Sequence, residues 1–102
     1  MLILGREILL EAARKHPDAA ESLHAWLSTA SEATWHSLRD LRRTYPHADG
    51  VRLRSGAVIT VFNIRGNNYR LLTTIGYTQQ VVAVRTLLTH AEYDKQKWKR
   101  SL

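Results

Sequence analysis

Two hydrophobic periods divide the chain. In the first part, Leu2, Leu4, Ile8, Leu9, Ala12 and Ala13 recur near helical spacing until Pro17 stops the run. Asp18 with Glu21 three residues later has the form of a capping box and predicts a second helix. Leu23, Trp26, Leu27 and Ala30 continue its apolar face. A third helix is expected from about Ala33 to Arg43. Trp35, Leu38 and Leu41 mark one face, and Arg39, Arg42 and Arg43 mark the other. Tyr45-Pro46 ends it, because proline disfavours the α region for the residue before it.

From there the period shortens. AVITVFNI (57–64), YRLLTTIGY (69–77) and QVVAVRTLL (80–88) are rich in β-branched and aromatic residues, and VRLR (51–54) is a candidate short first strand. RGNN (65–68) reads as a turn with Gly66 and Asn67 at positive φ, and TQ (78–79) as a second connection. Strands joined this closely pair antiparallel. A last helix is expected from Thr89 to about Lys99. The predicted class is α+β: N-terminal helices packed on a small antiparallel sheet of three to four strands, with a C-terminal helix. The 102 residues suit one domain, 1–102.

Charge adds a direction to this outline. The net charge is +6, and five of the nine acids lie in the first 32 residues. Between Asp49 and Glu92 there is no acid, while Arg52, Arg54, Arg65, Arg70 and Arg85 all fall there. Such a segment cannot neutralise itself and attracts a polyanion, above all nucleic acid; a solvated arginine-rich face is the other reading. Alternation puts Arg70 on one face with Leu72 and Thr74, and Arg85 on one face with Val81, Ala83 and Leu87. Either both guanidinium groups reach solvent at strand ends, or they line a concave anion site.

Other classes are excluded by what the chain lacks. It has no cysteine, hence no disulfide or thiolate chemistry, which fits a reducing cytosol. No signal-peptide pattern or membrane-length apolar run is present, so the expected location is cytoplasmic. There is no HExxH, no Gly-rich phosphate loop before a helix and no nucleophile elbow, and neither metal nor cofactor is expected.

THAEYDK (89–95) is the stretch richest in chemistry. Thr89 as N-cap and Glu92 at N3 form a second capping box. His90 then opens the helix at the end of a strand, followed by Tyr93, Asp94 and Lys95. Cleaving RNA without a metal needs a base for the 2′-hydroxyl, an acid for the leaving 5′-oxygen and cationic donors for the phosphoryl oxygens. His90, Arg70, Arg85, Tyr93 and Lys95 supply these kinds of group.

FNIRGNNYRL (62–71) and RTLLTHAEYDK (85–95), with SLRDLRRTYPHADGV (37–51), resemble the HigB family of type II toxin–antitoxin toxins in the RelE/ParE superfamily. The resemblance implies a RelE-like fold and an mRNA interferase acting on translated message at the ribosome. It also implies a cognate HigA-like antitoxin with a helix-turn-helix domain, through which the pair reaches operator DNA. Carried over by position, Arg70 is the sheet arginine at the scissile phosphate and Arg85 a second basic strand position. His90 and Tyr93 fall where relatives place acid–base residues. Arg65, Asn67, Lys95, Arg52 and Arg54 complete the expected RNA-binding set. The chain departs from the family at Thr60, where an aromatic often stands, and it has no strand lysine at the sheet rim, a place Arg52, Arg54 or His47 would fill. The competing readings are a non-catalytic nucleic-acid binder, a gyrase-poisoning relative, and a degenerate toxin kept for antitoxin binding.

Overall fold

The computed structural model describes residues 1–102. A five-stranded mixed sheet carries helices on both faces. The strands are β1 (Leu2–Leu4), β2 (Asp49–Arg52), β3 (Val58–Ile64), β4 (Tyr69–Gly76) and β5 (Val81–Thr89), in the spatial order β1-β5-β4-β3-β2. The helices are α1 (Arg6–Lys15), α2 (Ala20–Glu32), α3 (Leu38–Thr44), α4 (His90–Asp94) and α5 (Trp98–Ser101). None is long and apolar enough to cross a membrane.

The α+β class and the antiparallel β2-β3-β4-β5 meander match the sequence reading; the N-terminus does not. Leu2 and Leu4 belong to a strand, not to the first helix. β1 lies parallel to β5, with Leu2 opposite Val81 and Leu4 opposite Ala83. Three residues are too few to display a period, and the pairing partner lies some eighty positions away. Gly5, at φ 86°, turns the chain from β1 into α1, and a Cβ there would meet the Val84 carbonyl oxygen at 2.8 Å.

Other boundaries shift for local reasons. Asp18 is not an N-cap: it sits in a 3-10 turn, Pro17–Ala19, and its carboxylate bonds the Tyr69 hydroxyl instead. The third helix starts only at Leu38, because Ser37 caps it by accepting the Asp40 N–H at 3.1 Å. β2 begins two residues earlier than expected. At the β3–β4 turn the positive φ values fall on Arg65 (52°) and Gly66 (61°), not on Asn67. The expected last helix is two short ones, since Gln96 takes φ 60° between them.

The central strands are covered on both faces. Against one face, α1 to α3 bring Leu9, Leu23, Trp26 and Leu41, and the loop before α3 brings Trp35, onto Phe62, Ile64, Leu71, Val82 and Val84. The Trp26 and Phe62 rings meet edge-on at 5.3 Å, a geometry worth about 1 kcal/mol beyond burial. Against the other, Trp98 of α5 closes a smaller cluster with Leu53, Ile59, Val61 and Leu72. Arg70 is on this second face, next to Leu72 in alternation. The face is only partly roofed by α4 and α5, and that gap is where the polar chemistry collects.

Candidate functional site

Arg70 is nearly buried, at 9% exposure, and lacks a carboxylate partner. A guanidinium taken out of water needs its donors satisfied, and the β3–β4 turn does this. Nη1 donates to the carbonyls of Asn67 and Tyr69, both at 3.1 Å, and Nη2 donates to Asn67 Oδ1 at 2.6 Å. Nη2 also donates to His90 Nδ1 at 3.0 Å. Arginine has no acceptor and does not deprotonate, so His90 Nδ1 carries a lone pair here and the ring proton is on Nε2. That proton faces Asp94 Oδ2 at 3.1 Å. The result is a hydrogen-bonded line from Asp94 through His90 to Arg70.

Local sequence sets this line up. The Thr89 hydroxyl accepts the Glu92 N–H at 3.1 Å, and the Glu92 carboxylate accepts the Thr89 N–H at 2.9 Å, so the predicted capping box is present at both ends. The backbone bond to Thr89 draws the Glu92 carboxyl below its usual range against the opposing effect of burial. His90 becomes the first residue of α4, and its own N–H donates to the Asn68 carbonyl at 3.0 Å. The start of α4 is thereby pinned to the same turn that holds Arg70.

Tyr93, one turn along α4, lies under the guanidinium, with Arg70 Cζ 5.8 Å from its ring centroid. On its far side it stacks on Trp98, centroids 5.3 Å apart and planes 13° from parallel. Trp98 Nε1 donates to the Tyr93 carbonyl, and Lys99 Nζ lies 5.7 Å over the indole. Burial, with Asp49 and Asp94 nearby, pushes the Tyr93 phenol up against the lowering effect of Arg70. Tyr93 therefore stays protonated at neutral pH and is a donor rather than a base.

The structure thus gathers Arg70, His90, Tyr93 and Asn67. Asn67 braces Arg70 through its side chain and its carbonyl. Asp94, to which the sequence assigns no step, belongs to the cluster; its i,i+4 spacing from His90 was the available signal. Arg85 stands apart. It is the extra residue at the β-bulge, where Thr86 pairs with Leu72 but Val84 pairs with Thr73. It is exposed and lies three residues, about 10 Å, along the strand from Leu88, the register partner of Arg70. Arg65 reaches Asp18 at 3.3 Å on the opposite side of the turn. Lys95 is exposed at the end of α4. Arg52 and Arg54 line a cleft of about 630 Å³ with Gln96, Lys99 and Arg100. His47 is exposed in the loop before β2.

Asp18 makes a second polar cluster on the helical face that no sequence pattern announces. Tyr69 Oη donates to it at 2.7 Å across fifty-one positions. That bond draws the Asp18 carboxyl down and the Tyr69 phenol up.

Residues 19–96 match the family HigB_toxin, described as a RelE-like toxic component of a toxin-antitoxin system. The mRNA interferase HigB of Escherichia coli O6:H1 is 30% identical over 95 residues, covering 93% of this chain and 90% of that protein. The mRNA interferase toxin HigB of Escherichia coli strain K12 is 27% identical over 94 residues, covering 92% and 88%. The mRNA interferase HigB of Shigella flexneri has the same identity and coverage.

Proposed function

The chain belongs to the HigB toxin family, the RelE-like toxic component of toxin–antitoxin systems, and we propose that it is an mRNA endoribonuclease working through Arg70, His90 and Tyr93. The observation that carries this reading is the Asp94–His90–Arg70 line, which ends on a guanidinium with no carboxylate partner. The proposed reaction is metal-free attack of a 2′-hydroxyl on the adjacent phosphorus.

Each residue then has a defined task. A charged phosphoryl oxygen is a stronger acceptor than a neutral imidazole. When one reaches Arg70, it draws Nη2 away from His90 and frees the Nδ1 lone pair. The 2′-hydroxyl gives its proton to Nδ1 as the 2′-oxygen bonds phosphorus. Asp94, on Nε2–H, stabilises the imidazolium that forms, much as a carboxylate steadies the histidine of a hydrolytic triad. Arg70 bears the charge gathering on the phosphoryl oxygens. Tyr93, kept protonated, donates to the leaving 5′-oxygen as the phosphorus–oxygen bond breaks. The products are a 2′,3′-cyclic phosphate and a 5′-hydroxyl. Arg85 and Lys95 contribute longer-range attraction for RNA.

Membership of the family makes an antitoxin the partner. Within this reading it is a HigA-like helix-turn-helix protein that carries the pair to operator DNA, and the substrate is message on the translating ribosome. Primer extension on message from cells expressing the wild type, His90→Gln or Asp94→Asn, with and without translation inhibitors, tests the proposal. New 5′ ends should appear with wild type, vanish with His90→Gln and weaken with inhibitors. Intact message alongside arrested growth would refute the nuclease assignment.

A further inference from the structure

The cleft between the β2–β3 hairpin and α5 lies outside the cluster just described. Its charged lining is entirely cationic: Arg52, Arg54, Lys99 and Arg100, with Leu53 and Gln96. The ion pairs of the molecule engage Arg14, Arg42, Arg65 and His90, and none engages a cation of this cleft. Two of the four are tethered by neutral groups. Arg52 Nη1 donates to the Gly56 carbonyl at 3.2 Å, and Lys99 Nζ donates to Gln96 Oε1 at 2.9 Å.

Two left-handed backbone positions bring these charges together. Gly56 at φ 92° folds the hairpin, and Gln96 at φ 60° turns the chain between α4 and α5 so that Lys99 and Arg100 face it. A non-glycine residue held at positive φ is unfavourable unless its surroundings demand it. Like charges gathered in one cleft repel one another, and an anion placed among them removes that repulsion.

The cleft is also coupled to the site. Lys99 lies over Trp98, Trp98 stacks on Tyr93, and Tyr93 lies under Arg70. Trp98 is buried, so it serves as a spacer and not as a platform for a base. These contacts link the Arg70 guanidinium to the cationic cleft through one run of side chains.

We infer that this cleft is a second phosphate subsite, which holds a backbone phosphate of single-stranded RNA other than the scissile one. The inference rests on the ribonuclease reading for its choice of RNA. It assigns Lys99 and Arg100 to substrate binding, and it makes Arg52 and Arg54 part of a fixed subsite rather than of a diffuse basic surface.

The test is the salt dependence of RNA binding by the full-length chain carrying His90→Gln, so that RNA stays whole. Fluorescence anisotropy with a labelled single-stranded oligoribonucleotide and with a dinucleotide compares this parent with the same chain also carrying R52Q, R54Q, K99Q and R100Q. Each phosphate of a single strand that no longer meets a cation flattens the slope of log K against log salt by about 0.7. The expected result is a slope flatter by that much or more on the long oligonucleotide and unchanged on the dinucleotide, which has only the scissile phosphate. A control removes four cations elsewhere, Arg6, Arg14, Arg39 and Arg43, with circular dichroism confirming that both variants fold. An unchanged slope, or an equal flattening in the control, overturns the inference. Repeating the measurement with isolated ribosomes separates the sources. Weakening with free oligonucleotide assigns the phosphate to the message strand; weakening only with ribosomes, which places it on ribosomal RNA, or weakening with neither, overturns the subsite. If the chain with His90 intact leaves ribosome-bound message uncleaved while the slope effect persists, the nuclease reading fails and the subsite stands.

Discussion

Arg70 Nη2 and His90 Nδ1 stand 3.0 Å apart, joined across twenty positions of sequence. Because arginine only donates, this contact decides which imidazole nitrogen holds the proton. In the proposed reaction it also makes the state of His90 depend on what Arg70 binds, and a phosphoryl oxygen on Arg70 would free the base.

Arg70→Lys should abolish most of the activity despite keeping the charge. An ammonium on a flexible stem cannot bond two carbonyls, Asn67 and His90 in a planar fan. Cleavage of ribosome-bound message should fall by about 100-fold, in the range of one lost oxyanion-stabilising donor. Near-wild-type cleavage by the lysine variant would mean that charge alone suffices.

Asp94→Asn should separate orientation from charge. The amide oxygen can still accept from His90 Nε2–H, but it cannot stabilise an imidazolium. An activity loss of about 10-fold is expected, the equivalent of one charge-assisted hydrogen bond of roughly 1.5 kcal/mol. His90→Gln should lose far more. Single-turnover rates on a fixed message distinguish the two.

Thr89→Ala removes the cap that places His90. Loss of an N-cap hydroxyl costs about 1 kcal/mol, and a chain of this size should melt roughly 5 °C lower. Amide exchange at Glu92, whose N–H the Thr89 hydroxyl accepts, should quicken before the rest of the fold does. Activity should fall with it, since His90 is the first residue of α4.

Gly5→Ala and Gly56→Ala form a matched pair. Both glycines have positive φ, which costs a residue with a Cβ about 1–2 kcal/mol. Only at Gly5 does that Cβ also meet the Val84 carbonyl oxygen. Urea midpoints should drop further for Gly5→Ala, and equal drops would show that β1 yields at no cost.

Stability should depend on pH at both extremes through Asp18 and Tyr69. The Asp18 pKa is lowered from 3.8, chiefly by the Tyr69 hydroxyl. Its contribution is present above the unfolded value and lost as pH falls through the folded one. The Tyr69 pKa is raised from 10.0, chiefly by Asp18. Its contribution is present below that value and lost as pH rises through the folded one. Tyr69→Phe should flatten both flanks of the denaturation profile and leave cleavage unaltered.

The sheet and the capping box were legible because both are local patterns. Val58–Ile64 and Tyr69–Gly76 announce themselves by composition, and Thr89 with Glu92 by spacing. β1 was not legible: its pairing with Val81–Ala83 exists only once the chain has folded back on itself. Arg85 shows the same limit within a strand, because a bulge between Val84 and Thr86 interrupts the alternation that a sequence reading assumes.

By itself the sequence determined the α+β layout, the acid-free arginine segment and the kinds of groups available for phosphodiester chemistry. Each of these depends on residues within a few positions of one another, or on composition. Only the tertiary structure decided that Arg70 is held by a turn, that His90 carries its proton on Nε2 with Asp94 behind it, and that Arg85 lies outside the cluster. Hydrogen bonds across a sheet and between a turn and a helix start set these relationships. Their partners are chosen by register and packing, which no local spacing encodes.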